Sequence, residues 1–342
     1  MFGKMFNKSV SIILSFFTVI QISLGFRACV TGGSGYLGSE LVSQLLEDGH
    51  NVHATVRSLN NPKASYLRSL MEKYPEDQLK IFEADLLDEG SFDEAIQDCK
   101  YVFHTASPFS REFDDSEEEV VEPILGGMTN VLESAIDAKT VKKVILTSST
   151  AALRGPGDKP ANGQYFTEED WNTGSQRQGP GMQPYQWAKT VAEKGALSLG
   201  RANSLPVVSI IPSFMLGPPR SSQSSGVSVD TMREWVQSGK LPTDRKLMAD
   251  VRDVARAHIY AATAEDLSYE RIIISLQRRV QLQKTKDLNG YILYTDDYVE
   301  LDTSKMQNLG MHLRSLDKTI EDFLFCPFLR TFQAEQLSCS QH

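Results

Sequence analysis

The sequence predicts an α/β fold, a doubly wound parallel sheet carrying a smaller C-terminal lobe. Three observations carry this. A short apolar run at residues 26–30 leads through Gly32, Gly35 and Gly38 into Leu37, Leu41, Val42, Leu45 and Leu46, which recur at helical spacing. Apolar, β-prone runs then alternate with helical patterns, as strand–helix–strand units of a parallel sheet do. One such run, residues 142–146, ends in Thr147, Ser148, Ser149 and Thr150, at the carboxyl edge where ligands of these sheets collect.

Strand, glycine turn and helix form the setting in which G-x-x-G-x-x-G carries meaning. Gly32 can turn with positive φ, Gly35 lets the backbone approach a pyrophosphate, and Gly38 lets the helix pack tightly on the strand. Tyr36 and Leu37 open the helix, whose free N–H groups and positive end suit phosphates, and both belong to the predicted cofactor site. This is Rossmann-type dinucleotide binding. Residues 51–57 alternate as a second strand closing on Arg57, nineteen positions past Gly38. An NAD-preferring enzyme would carry an acid there for the ribose 2′-hydroxyl, whereas a guanidinium suits a bidentate grip on a 2′-phosphate. Lys63 adds charge nearby. NADP is therefore predicted ahead of NAD; the plainer reading of Arg57 is a solvated residue at a strand end.

A third strand at residues 79–84 leads to Asp85 and Leu86. Asp85 either accepts from an adenine amino group or caps the next helix. The fourth strand, residues 102–104, runs into Thr105, Ala106, Ser107 and Pro108, small enough to line a cofactor; His104 reads as a packed strand residue rather than a base. Residues 117–138 form a long helix whose acidic start complements its dipole, with Asn130 a candidate for either proton relay or packing. Residues 151–184, rich in Gly, Pro, Gln and Asn, read as loop, and within them 166–171 packs its aromatics on the body. A helix at 185–199 and a sixth strand at 206–211 follow, the latter running into Pro212 and Ser213. Residues 221–228 read as a linker, 229–238 as a helix and 271–275 as a strand.

Tyr185 and Lys189 stand four apart, so their side chains share one helix face. An adjacent ammonium lowers a phenol toward working pH, as does the charge of an oxidised nicotinamide. Such a tyrosine can protonate a carbonyl oxygen as hydride arrives, or take the proton back in reverse. The lysine can also hold the nicotinamide ribose. A hydroxyl from the fifth strand can donate to the same oxygen. Ser149 is the choice for it, with Ser148 or Thr150 as substitutes, since the turn after the strand decides which faces inward. Tyr-x-x-x-Lys alone is common; its weight here comes from order, the glycine turn first, the serine-tipped strand next and this helix last.

The net charge of −9 and the lack of a basic block exclude a nucleic-acid role. Four cysteines are too few and too scattered for a disulfide framework or a zinc site, and no metal is predicted. Lys4 and Lys8 precede a largely apolar run at residues 10–26, similar to a signal peptide or signal anchor, though short for a spanning helix. A membrane contact through it and a cytoplasmic location both stay open.

The motifs T-G-G-S-G-Y-L-G, A-T-V-R, V-F-H-T-A-S-P, V-I-L-T-S-S-T, Y-Q-W-A-K-T-V-A-E-K, I-I-P-S-F-M-L-G-P and V-R-D-V-A-R-A-H resemble the extended short-chain dehydrogenase/reductases, in the dihydroflavonol 4-reductase and cinnamoyl-CoA reductase branch. The resemblance covers about residues 27–275 and resumes at 301–323. It implies an NADP-dependent reductase acting on a carbonyl, or oxidising the matching alcohol, with Ser149, Tyr185 and Lys189 on the catalytic positions. It also implies cofactor contacts at Gly32, Gly35, Gly38, Arg57, Asp85, Thr105, Ala106, Pro212 and Ser213. Two departures stand out: Ala188 replaces the branch's usual serine, and residues 277–298 occupy the place of a longer helical segment of the substrate lobe. The expected organisation is a signal-like segment at 1–25, the NADP-binding domain at 26–220, a substrate lobe mainly at 221–325 with elements returning to the core, and a tail at 326–342. The partner is a small-molecule carbonyl or alcohol, the chain a monomer or homodimer. A sterol dehydrogenase or sugar-nucleotide epimerase shares the three catalytic residues and is the runner-up; a non-catalytic NADP-binding protein is the third reading.

Overall fold

The structure, a computed structural model, describes residues 25–110, 112–238, 246–276, 278–284, 291–297 and 300–328. The signal-like segment lies outside them except for its last residue, and most of the tail does too. Among the described residues no helix is long and apolar enough to cross a membrane.

The first half alternates as the sequence does: β1 (Arg27–Thr31), α1 (Tyr36–Glu47), β2 (Asn51–Val56), α2 (Ser65–Lys73), β3 (Leu79–Glu83), the short α3 (Asp93–Ile96) and β4 (Tyr101–His104). After it come α4 (Glu122–Asp137), β5 (Lys143–Thr147), α5 (Gln183–Ala202) and β6 (Val207–Pro212). The expected helix at 117–138 is instead a wider, π-type turn over Glu117–Val121 followed by α4, which carries Pro123 in its first turn. Proline has no N–H to donate, so it sits where a helix begins. The loop ahead of α5 ends two residues sooner than expected, because Pro184 likewise fits a first turn.

Beyond β6 come β7 (Phe214–Leu216), α6 (Val227–Ser238), β8 (Lys246–Asp250), α7 (Val251–Thr263) and β9 (Arg271–Ile274). The last elements are β10 (Arg278–Lys284), β11 (Tyr291–Asp297), α8 (Ser304–Asn308) and α9 (Leu316–Leu324). Seven strands pair in parallel in the order β3-β2-β1-β4-β5-β6-β9, so the order reverses beside β1. A second sheet, β11-β10-β8-β7, was not foreseen. It includes an antiparallel pair where the resembled branch has helix: Val280 and Leu282 alternate with Gln281 and Gln283, a period of two that suits a strand.

Strands buried on both faces explain the unbroken apolar runs. Ala28 and Val30 pack on one face with α1 and α7, while Cys29, Val102 and Val144 pack on the other with α4 and α5. Phe166 is buried through its bridge to Leu301, and Trp171 packs on the α4–α5 face, as the aromatics of 166–171 were expected to do.

Candidate active site

A cleft of about 1320 Å³ opens over the carboxyl ends of β1, β2, β4, β5 and β6. It is lined by every residue that the sequence assigns to the cofactor and catalytic sites: Gly32, Gly35, Tyr36, Leu37, Gly38, Arg57, Lys63, Asp85, Leu86, Thr105, Ala106, Ser149, Tyr185, Lys189, Pro212 and Ser213. Gly32 has φ +68°, and a Cβ at Gly38 would lie 2.2 Å from the Gly32 carbonyl oxygen. No side chain fits at either place without moving backbone. α1 begins without a side-chain cap and without an acid in its first turn, so its leading N–H groups stay available to an anion. A pyrophosphate fits this cradle. Arg57 and Lys63 are exposed at its rim, and neither forms an ion pair among the described residues.

The loops that line the cleft are pinned from behind. The Thr31 hydroxyl bridges His104 Nδ1 (2.8 Å) and the Ala106 N–H (3.2 Å), and Thr105 Oγ1 donates to the Thr31 carbonyl at 2.6 Å. His104 is thus a packed residue; burial, aided by the Lys189 charge, pushes its imidazole down to about 3. Asn130 Nδ2 donates to the Leu86 carbonyl at 2.9 Å, and a Cβ at Gly127 would meet Leu86 Cδ2 at 2.4 Å. Asn130 therefore holds the Leu86 turn. Asp85 Oδ1 accepts from the Leu87 N–H at 3.0 Å, capping that turn rather than the next helix. Ser213 is tied by its N–H to the Ile274 carbonyl at 3.0 Å.

At the tip of β5 the three hydroxyl candidates separate. Ser148 Oγ turns away and donates to Glu193 Oε2 at 2.7 Å. Thr150 opens a short 3₁₀ turn capped by Ser149, whose Oγ accepts from the Ala151 N–H at 3.1 Å. Of the three, Ser149 is the hydroxyl that favours ionisation of the Tyr185 phenol, against the effect of burial. Lys189 is 5% exposed and donates from Nζ to the Thr147 carbonyl at 2.7 Å. Burial brings its ammonium down to about 8, opposed by the Glu193 carboxylate. The phenol departs from the sequence expectation. Burial pushes it up to about 12 against the Ser149 hydroxyl, while the Lys189 ammonium is engaged by a carbonyl.

Residues 28–275 match the NAD dependent epimerase/dehydratase family. The chain belongs to this family. The matched span starts at the second residue of β1 and ends one residue past β9, so it takes in all but the first residue of the seven-stranded sheet. Cinnamoyl-CoA reductase CAD2 of Medicago truncatula is 33% identical over 318 residues, 88% of this chain and 95% of that protein. Anthocyanidin reductase of Arabidopsis thaliana is 36% identical over 255 residues, 71% and 74% of the two chains. Gre2 of Candida albicans, solved in complex with NADPH, superposes with a TM-score of 0.73 at 28% identity, covering 87% of this chain and 97% of that one.

Within the family frame, several cleft residues escaped the sequence. Phe109 places its ring 4.7 Å from that of Tyr185. Arg154 (paired with Glu300), Met182 and residues 225–229 also line the cleft. None carries a local signature, because each reaches the cleft from a loop or a helix start whose place is set by tertiary contacts. Glu193 and Arg271 were also missed; the first had a signal, an acid one helical turn beyond Lys189 on the same face.

Proposed function

We propose that the protein is an NADP-dependent oxidoreductase that reduces a ketone or aldehyde carbonyl, or oxidises the matching alcohol. The observation that carries this reading is that Ser149, Tyr185 and Lys189 line the same cleft as the glycine cradle. Gly32, Gly35, Gly38 and the first turn of α1 would hold the pyrophosphate, Arg57 with Lys63 the 2′-phosphate, and Asp85 the adenine. Thr105, Ala106, Pro212 and Ser213 would line the nicotinamide half. Bound NADPH supplies the hydride. Tyr185 delivers the proton to the carbonyl oxygen, and Ser149 donates a hydrogen bond to that oxygen as its charge develops. Lys189 holds a positive charge behind the phenol and favours the phenolate left after transfer. A phenol held near 12 keeps its proton throughout the neutral range, which suits the acid role of the reductive direction. The relatives support the class, being named reductases, and the NADPH complex of Gre2 supports the cofactor.

The test follows NADPH absorbance over a panel of carbonyl compounds. Tyr185→Phe is expected to lower turnover by about 10²- to 10⁴-fold, the usual contribution of general acid catalysis, with NADPH affinity near that of the parent. Parental turnover in Tyr185→Phe removes the reading. Net consumption of NADPH separates a reductase from an epimerase, which restores its cofactor in each cycle.

A further inference from the structure

Glu193 lies one helical turn past Lys189 on α5 and is fully buried. Its carboxylate accepts from Ser148 Oγ at 2.7 Å, from Arg271 Nε at 2.8 Å and from Arg271 Nη2 at 3.1 Å. Arg271, on β9, spends its remaining nitrogen on the carbonyls of Glu168 (2.5 Å) and Asp170 (2.7 Å), and its guanidinium lies 3.5 Å from the centre of the Trp171 ring. One buried ion pair thus joins β9, the 166–171 loop, α5 and the tip of β5. Burying two charges is costly, and an apolar pair of equal volume commonly holds elements together as well. The pair therefore invites a role beyond cohesion.

The structure assigns Glu193 a positioning role in the proposed reduction: its grip on Ser148 fixes the β5 tip that carries Ser149, and it stands one helical turn from Lys189 on the same face of α5. The role rests on the reading that Tyr185 and Lys189 carry the chemistry. The groups facing Lys189 are Tyr185 and Glu193 on its own helix, the Thr147 carbonyl on β5 and His104 on β4. His104 is neutral above about 3, so Glu193 is the carboxylate that opposes the burial of Lys189. Facing Glu193 are Arg271 from β9, Ser148 from β5 and Lys189 from α5 itself. With Glu193 neutral, burial acts unopposed and Lys189 loses its proton at lower pH.

The experiment is the pH profile of kcat/KM for NADPH-dependent reduction by the full chain, with thermal midpoints measured alongside. Glu193→Gln alone strands the Arg271 charge, so the double variant Glu193→Gln with Arg271→Met removes both charges together. Its alkaline limb is expected to move down by about half a pH unit or more, with NADPH affinity near parental, while Glu193→Asp keeps the parental limb. A limb in the folded double variant that coincides with the parent's overturns the electrostatic role. Ser148→Ala, which removes one hydroxyl and leaves the ion pair intact, is expected to lower kcat about tenfold through misplacement of Ser149. Unchanged kcat overturns the tip-fixing role, and does so even where the double variant does not fold. A parental limb together with an inactive Tyr185→Phe sinks only the role of Glu193, whereas an active Tyr185→Phe sinks the reading beneath it.

Discussion

Arg57 follows the last residue of β2 and lines the same cleft as the glycine turn. A hydrogen bond to a charged group is worth about 1.5–3 kcal/mol, so one side chain here can decide between cofactors. Arg57→Asp is expected to raise KM for NADPH by about tenfold or more and to shift preference toward NADH, whose 2′-hydroxyl an acid can accept from. The check is kcat/KM with each cofactor; an unchanged ratio reassigns the 2′-phosphate to another group. At this scale the sequence was most legible where chemistry sits on a rigid spacing. The three glycines and the Tyr185–Lys189 pair are separated by turns of chain whose geometry is local. Which of Ser148, Ser149 and Thr150 is drawn away from the cleft was not legible, because the answer depends on Glu193 pulling Ser148 to the other side.

Among the elements, α7 shows how a helix start anchors the lobe side of the cleft. Asp250 caps it by accepting from the Arg252 N–H at 2.8 Å, and the same carboxylate, fully buried, holds the Arg252 guanidinium and accepts from Thr319 of α9 at 2.8 Å. Arg252 in turn reaches Asp322 on α9 at 2.7 Å. Asp250→Ala removes a cap and strands a half-buried guanidinium, and is expected to cost about 3–5 kcal/mol. The midpoint of urea unfolding, at unchanged slope, measures this; a loss below about 1 kcal/mol would show that Asp322 alone satisfies Arg252. The sequence marks residues 251–258 only as a motif; that they begin a helix tied to α9 depends on partners some seventy residues further on.

For the whole molecule, two buried histidines set an acid limit. Burial brings His104 down to about 3 and His258 down to about 4, with His258 bonded to Thr147 Oγ1 at 2.8 Å. Unfolded, both titrate near their ordinary value of about 6.5. Below that value the unfolded chain binds more protons than the folded one, so stability is whole above about pH 6.5 and falls as pH drops toward the folded values. Between pH 6.5 and 5 each histidine is expected to remove about 1.5–2 kcal/mol. Thermal midpoints from pH 8 to pH 5 check this, and a flat profile would place the two rings in contact with water. The family match and the seven-stranded sheet bear out the fold that alternating runs and a glycine turn foretold, because those signals are periodic and local. The second sheet had no such signal: β7 is three residues long, and it pairs with a strand that begins thirty residues after it ends. By itself the sequence determined the strand–helix alternation of the seven-stranded sheet, the glycine turn and the two residues that share a helix face. Tertiary structure alone decided which hydroxyl of the β5 tip is drawn away from the cleft, which cation pairs with Glu193 and which segments wall the cleft. Those contacts join residues tens of positions apart, and only packing brings them within hydrogen-bonding reach.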